Sequence, residues 1–145
     1  MVLLYLPREE LSQISPKLAV RLPLKHNNTY YYETKDDIEA HYLCAFLNAP
    51  YVDEAIKPHQ TRGQWGERDI HRRPFEYVPI PRFNPEDEKH QKLAELSKEC
   101  HQKVKKLKLE GKNIGNLRGK VRRALADELA KIDKLVKDIL SGEAR

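Results

Sequence analysis

The chain has few of the residues that mark metal sites, disulfide frameworks or export. It contains two cysteines, Cys44 and Cys100, which are too far apart in sequence for a metal-binding pair and occupy apolar positions of predicted helices. We interpret them as reduced thiols in a protein core, which indicates a cytoplasmic protein. No apolar run reaches the length of a membrane span, and Met1 to Leu6 is too short and uncharged for a signal peptide.

Patterns for metal or nuclease chemistry are also scarce. Glu33-Thr34-Lys35 has the Glu-x-Lys spacing that can hold a divalent ion, but no Pro-Asp pair precedes it, and we expect it to end a strand. The histidines show neither paired spacing nor a shared carboxylate, so no metal site is expected from His59, His71, His90 and His101.

The composition permits nucleic-acid binding without requiring it. The formal net charge is +5 and the sequence pI is about 9.1. With 39% apolar and 34% charged residues, the chain is expected to be ordered and soluble, with a modest core. The sequence pattern changes along the chain and predicts two segments: a small α+β recognition segment over residues 1–84 and a helical segment over residues 85–142.

Residues 1–84 predict a small, mostly antiparallel sheet with short helices. Residues 2–6 and 17–24 and the aromatic run Tyr30 to Tyr32 have strand composition. Asp36 and Asp37 are expected to cap an amphipathic helix over 38–47. A second short helix is predicted over 52–56, and the sequence Asn48-Ala49-Pro50-Tyr51 is interpreted as the terminator between the two helices.

The stretch from Arg62 to Arg73 is interpreted as a basic loop that leads into an apolar strand, Phe75 to Ile80. Because Pro79 and Pro81 lack N–H donors, that strand is expected at an edge of the sheet. Arginines in the loop can donate paired hydrogen bonds to phosphates or guanine edges. The candidate DNA-binding residues are Arg62, Gln64, Trp65, Arg68, His71, Arg72 and Arg73. The alternative is structural: the arginines brace the loop, and Trp65 and Phe75 fill the core.

Residues 85–142 predict a long antiparallel two-helix hairpin. Asn84 and Pro85 resemble an N-cap followed by proline at the first helical position, and Gly111 and Asn113 break the helical pattern. The stripe of the second helix is long enough to suggest an interface with a partner, formed by Val121, Leu125, Leu129, Ile132 and Val136. The hairpin tip is cationic, with Lys103, Lys105, Lys106 and Lys108 on one side and the secondary DNA-binding candidates Lys112, Arg118, Lys120, Arg122 and Arg123 on the other. Such charge runs are commonly solvated surface.

Five segments in order carry a family resemblance: YYYET, LCAFLNAP, GERDIHRRPFEYVPIP, DEKHQKLAELSKEC and LADELAKIDKLVKDIL. Over roughly residues 29–140 the chain resembles the C-terminal part of type IIG restriction-modification N6-adenine DNA methyltransferases. Its plan is also similar to the target-recognition segments of type I specificity subunits, in which a proline-rich strand leads into a long spacer helix.

The resemblance implies a non-catalytic target-recognition fragment that binds duplex DNA in a prokaryotic restriction-modification system. The chain lacks the glycine-rich turn for S-adenosylmethionine and the Asn/Asp-Pro-Pro-aromatic motif that holds a flipped adenine, so this cofactor is implied only for an associated catalytic domain. The alternative is a protein-interaction module whose helices dock on a methyltransferase or on a second copy. A complete small enzyme with an unrecognised site is disfavoured by the missing motifs.

Overall fold

The computed structural model describes residues 34–60, 74–111 and 113–143, which form helices joined by turns and irregular segments. The elements are α1 (Asp37–Asn48), α2 (Pro50–Ile56), a 3-10 turn (Lys57–His59), α3 (Pro74–Tyr77), α4 (Glu88–Lys106), α5 (Ile114–Ala124) and α6 (Ala126–Glu143). These residues contain no strand, so the prediction of an α+β fold with an antiparallel sheet is wrong. The predicted strands over 2–6, 17–24 and Tyr30 to Tyr32 lie outside the described residues.

The region predicted as an edge strand is instead a helical turn followed by an irregular segment. Residues Pro74–Tyr77 form α3, and 79–84 have no regular structure. Pro79 and Pro81 cannot donate to a ladder, and side-chain contacts hold this segment in place. The hydroxyl of Tyr42 donates to the carbonyl oxygen of Pro81 at 3.1 Å, and Val78 is buried in the core.

The two helices predicted before the basic loop are confirmed. Asp36 caps α1, since its carboxylate accepts from the backbone N–H of Ile38 at 2.8 Å. Ala49 has an extended backbone and separates α1 from α2, which has Pro50 in its first turn. The predicted terminator therefore ends one helix and begins the next.

α4 begins later than the sequence predicts. Its N-cap is Asp87, whose carboxylate accepts from the N–H groups of Lys89 at 2.8 Å and His90 at 3.4 Å. Asn84, the predicted cap, accepts from the N–H of Glu86 at 3.0 Å and so closes a turn ahead of the helix. Both side chains suit a cap, but only Asp87 lies where the helical N–H groups are unpaired.

The core forms where α1, α4 and α6 meet. Tyr42 and Phe46 of α1 and Leu93 of α4 are fully buried, together with Ile132 and Val136 of α6. α4 makes its most extensive contact with α1, and α6 packs on both. One core thus draws residues from both sides of position 84, and the apolar stripe of α4 is shared between two partners.

The second arm of the predicted hairpin is two helices. Leu125 separates α5 from α6 with φ −104° and ψ 12°. Backbone hydrogen bonds nevertheless continue through the break, from Leu125 N–H to Val121 at 3.0 Å and from Leu129 N–H to Leu125 at 2.9 Å. The loop before α5 contains Gly111, whose φ of +128° is a conformation that side chains rarely adopt. α5 itself has no buried residue.

Candidate nucleic-acid interface

The primary DNA-binding candidates lie in the loop over 61–73. All of them fall outside the described residues and remain predictions: Arg62, Gln64, Trp65, Arg68, His71, Arg72 and Arg73. Lys112 of the hairpin tip lies outside them as well.

The described residues before and after this loop are in contact through His59 and Tyr77. The ring of His59, at the end of the 3-10 turn, stacks on the ring of Tyr77 in α3, with centroids 3.7 Å apart and planes 4° apart. α2 also contacts α3. The described residues on either side of 61–73 therefore lie next to each other. Nothing in the sequence spacing of His59 and Tyr77 indicates this contact.

α5 presents the remaining predicted cations. Asn113 caps the helix by accepting from the N–H of Asn116 at 3.1 Å. The helix contains no acidic residue between Ile114 and Ala124. Its four cationic side chains are all exposed: Arg118, Lys120, Arg122 and Arg123.

Several lysines elsewhere in the described ranges have a carboxylate partner, whereas no ion pair in those ranges involves a cation of α5. Lys98 lies 3.3 Å from Asp37 and Lys137 lies 2.7 Å from Asp133. Within the three described ranges, no ion pair involves six exposed cations that we call the basic tip: Lys106, Lys108, Arg118, Lys120, Arg122 and Arg123. A surface of uncompensated cations attracts polyanions, and arginine can bind a phosphate through two hydrogen bonds.

Lys103, part of the same run in the sequence, is engaged differently. Its ammonium group donates to the carboxylate of Glu128, which is only 6% exposed. This hydrogen bond lowers the pKa of Glu128 and raises the pKa of Lys103. Lys103 therefore fastens the end of α4 to the start of α6.

The predicted interface stripe divides into two parts. Ile132 and Val136 lie inside the chain's own core, and Leu125 is 8% exposed. Val121 and Leu129 are half-buried. The burial of Ile132 and Val136 is thus accounted for within the chain, and the stripe residues left partly exposed are Val121 of α5 and Leu129 of α6.

A buried polar cluster joins α1 to α4. His41 Nδ1 lies 3.1 Å from the hydroxyl of Ser97. His101 Nδ1 lies 2.8 Å from the carbonyl oxygen of Ser97, and because a carbonyl oxygen can only accept, the Nδ1–H of His101 donates this hydrogen bond. Burial, and then the neighbouring His101, lower the pKa of His41. Ser97 is 3% exposed, so its hydroxyl is not positioned to meet a substrate. The sequence does not indicate this cluster, because its members lie on two helices that are far apart along the chain.

The cysteines lie on the same two helices. Both are free thiols; Cys44 is buried and Cys100 is half-buried. Burial, reinforced by the carboxylate of Glu128, raises the pKa of Cys100 to about 11, so this thiol is protonated at neutral pH. No group of three or more His, Cys, Asp and Glu side chains among the described residues could hold a metal ion.

Comparison of the chain with protein-family models, curated proteins and solved structures finds no match. No helix in the described ranges is long and apolar enough to cross a membrane.

Proposed function

We propose that this chain binds duplex DNA through its basic tip, as a non-catalytic recognition part of a restriction-modification adenine methyltransferase in the prokaryotic cytoplasm. The observation that carries the proposal is the basic tip itself, six exposed cations without an ion pair in the described part of the chain. The family resemblance supplies the setting, and the arginine-rich loop over 61–73 is the second expected contact.

The dimensions of α5 suit a phosphate backbone. Its 11 residues extend about 16 Å, which spans several phosphates along one strand of a duplex. Neutralising those phosphates releases condensed counterions, so the affinity should depend strongly on salt. Uncompensated arginines without nearby acids meet this requirement better than the paired lysines of α4 and α6.

The reaction chemistry belongs to another domain under this proposal. S-adenosylmethionine and the flipped adenine would be held by an associated methyltransferase domain, and this chain would contribute DNA contacts. Its buried serine and its protonated Cys100 thiol are consistent with a structural role for these groups.

A second candidate function has one observation in its favour. Ile114 is 65% exposed and Val121 is only half-buried, so the apolar side of α5 is incompletely covered. Such a stripe can dock on a methyltransferase or on a second copy of this chain. Under that alternative the chain acts as an interaction module, and the cations serve solubility.

The test is the salt dependence of duplex binding, measured by fluorescence anisotropy on the whole chain. Replacing Arg118 or Arg122 by glutamine should lower the slope of log affinity against log salt by about one per arginine. Arg82→Gln is the matched control, since Arg82 is an exposed arginine in a groove with Asn84 and Gly142, near the C-terminal end of α6. An equal loss in Arg82→Gln, or no salt-dependent binding by the wild type, would contradict the proposal.

The loop is tested in the same assay. Arg62→Gln and Arg68→Gln should lower the slope if these arginines contact phosphates, and should instead lower the melting temperature if they brace the fold. Sedimentation equilibrium of the wild type addresses the interaction module, because a second copy docked on α5 would appear as a dimer.

A further inference from the structure

The arginines of α5 surround a bare stretch of helix backbone. Gly115 and Gly119 are four residues apart and therefore lie on one side of the helix. Gly115 is exposed and Gly119 is partly exposed. The nearest atoms to the Cβ positions are Asn113 Oδ1, at 3.2 Å from that of Gly115, and the Arg123 guanidinium beside Gly119. Within the described part of the chain, no atom of another helix lies within 4 Å of either position.

This bare side is opposite the apolar stripe. Leu117 and Val121 are half-buried, and a helix rotates by about 100° per residue, so Gly115 and Gly119 point away from them. Arg118 and Arg122 border the bare side along one edge. The guanidinium of Arg123 borders it on the other, with Nη1 3.5 Å from the Cβ position of Gly119 and no carboxylate paired with it in the described ranges.

We infer that this face of α5, with Arg118, Arg122 and Arg123 around the bare backbone, holds DNA by its phosphate groups and independently of base sequence. The inference rests on the proposed function. The arginines supply charge and paired donors on both edges, and the missing side chains let a phosphate strand approach the helix closely. Contacts of this kind position a duplex and provide affinity, while base contacts provide specificity. Target selectivity is then left to residues outside this face.

Glycine substitutions test this geometry without removing a charge. Gly119→Gln inserts an uncharged side chain into the bare side, where its Cβ makes only an ordinary contact with Arg123. Helix propensity favours glutamine over glycine, so the melting temperature should stay the same or rise. Affinity for duplex DNA should fall about tenfold, the effect of losing roughly one charge-assisted hydrogen bond.

Two controls accompany this variant. Gly119→Ala should lower the affinity by less, because its side chain is smaller. Gly142→Gln makes the same replacement in α6 at a position with nothing within 4 Å, and should leave DNA affinity unchanged.

Each variant is measured on two duplexes of unrelated sequence. The inference requires that Arg122→Gln and Gly119→Gln weaken both duplexes by the same factor. It is overturned if Gly119→Gln binds like the wild type, or if either variant weakens one duplex only, which would indicate base readout. Both of those results leave salt-dependent binding by the tip intact, whereas a wild type that binds neither duplex would remove the proposed function itself.

Discussion

The body of the molecule and its tip are both helical, yet they differ in packing and in charge compensation. In the body, where α1, α4 and α6 meet, Tyr42, Phe46 and Val136 are fully buried. In the tip, α5 has no buried residue and its cations have no carboxylate partner in the described ranges. Tertiary packing therefore stabilises the body, whereas α5 depends on its Asn113 cap, its partly covered stripe and its continuity with α6.

The difference shows that a high density of charge does not by itself define a binding surface. α4 and α6 are as rich in charged residues as α5, but they also carry acids, some of which pair with their lysines, such as Asp133 beside Lys137. α5 carries cations alone. The placement of acids, more than the number of lysines and arginines, separates solvated surface from a surface that attracts a polyanion.

The largest expected effect is on packing. Leu93→Ala removes a fully buried side chain from the body and should lower the free energy of unfolding by about 2–5 kcal/mol. Leu117→Ala, at a half-buried position in the tip, should cost about 1 kcal/mol or less. Urea denaturation of both variants checks the contrast. Equal losses would mean that α5 is packed as firmly as the body.

An intermediate effect is expected at the turn that leads into the tip. Gly111→Ala places a side chain at φ +128° with nothing within 4 Å, so the cost is backbone strain alone, about 1–3 kcal/mol. Gly142→Ala is the matched control in open space and should be neutral or slightly stabilising. Thermal melting compares the two, and identical melting temperatures would show that the turn relaxes freely.

The smallest effect concerns pH and should be confined to the body. Because burial lowers the pKa of His41, the folded state binds this proton more weakly than the unfolded chain does. The contribution of His41 to stability should be complete above a pH of about 6.5, the pKa of histidine in the unfolded chain. It should decline as the pH falls through the lower pKa that His41 has in the folded state. His41→Gln should flatten this decline, while Arg122→Gln in the tip should leave the wild-type pH profile unchanged. The measurement is the urea concentration at the midpoint of unfolding, taken between pH 7.5 and 5 for the wild type and both variants. If the stability of His41→Gln still declines at low pH, the effect belongs to another group.

Helices with local signals were predictable from the sequence. Asp36, the Asn48-Ala49-Pro50 terminator and the apolar spacing of α1 act within a few residues of one another, and the structure confirms α1 and α2. The partner of α4 was not predictable in this way. Its stripe residue Leu93 is apolar whichever helix covers it, and the main contact with α1 joins residues far apart in sequence.

The error at 75–80 came from composition. Val78 and Ile80 favour strands, but a strand also needs a neighbour that accepts its hydrogen bonds, and a single sequence does not show where that neighbour lies. The hydroxyl of Tyr42 bonds to Pro81 instead. The break at Leu125 could not be predicted from the sequence, because the apolar spacing runs through this residue without interruption and favours one continuous helix.

That break has a mechanical consequence. Hydrogen bonds run through Leu125 on both sides, so the torsions of this residue set the direction of α5 relative to α6. Over the 11 residues of α5, about 16 Å, a difference of about 10° in that direction would shift the far end by about 3 Å. A change of that size is comparable to the length of a hydrogen bond. The two backbone torsions of Leu125 therefore determine where the arginines of α5 lie relative to α6.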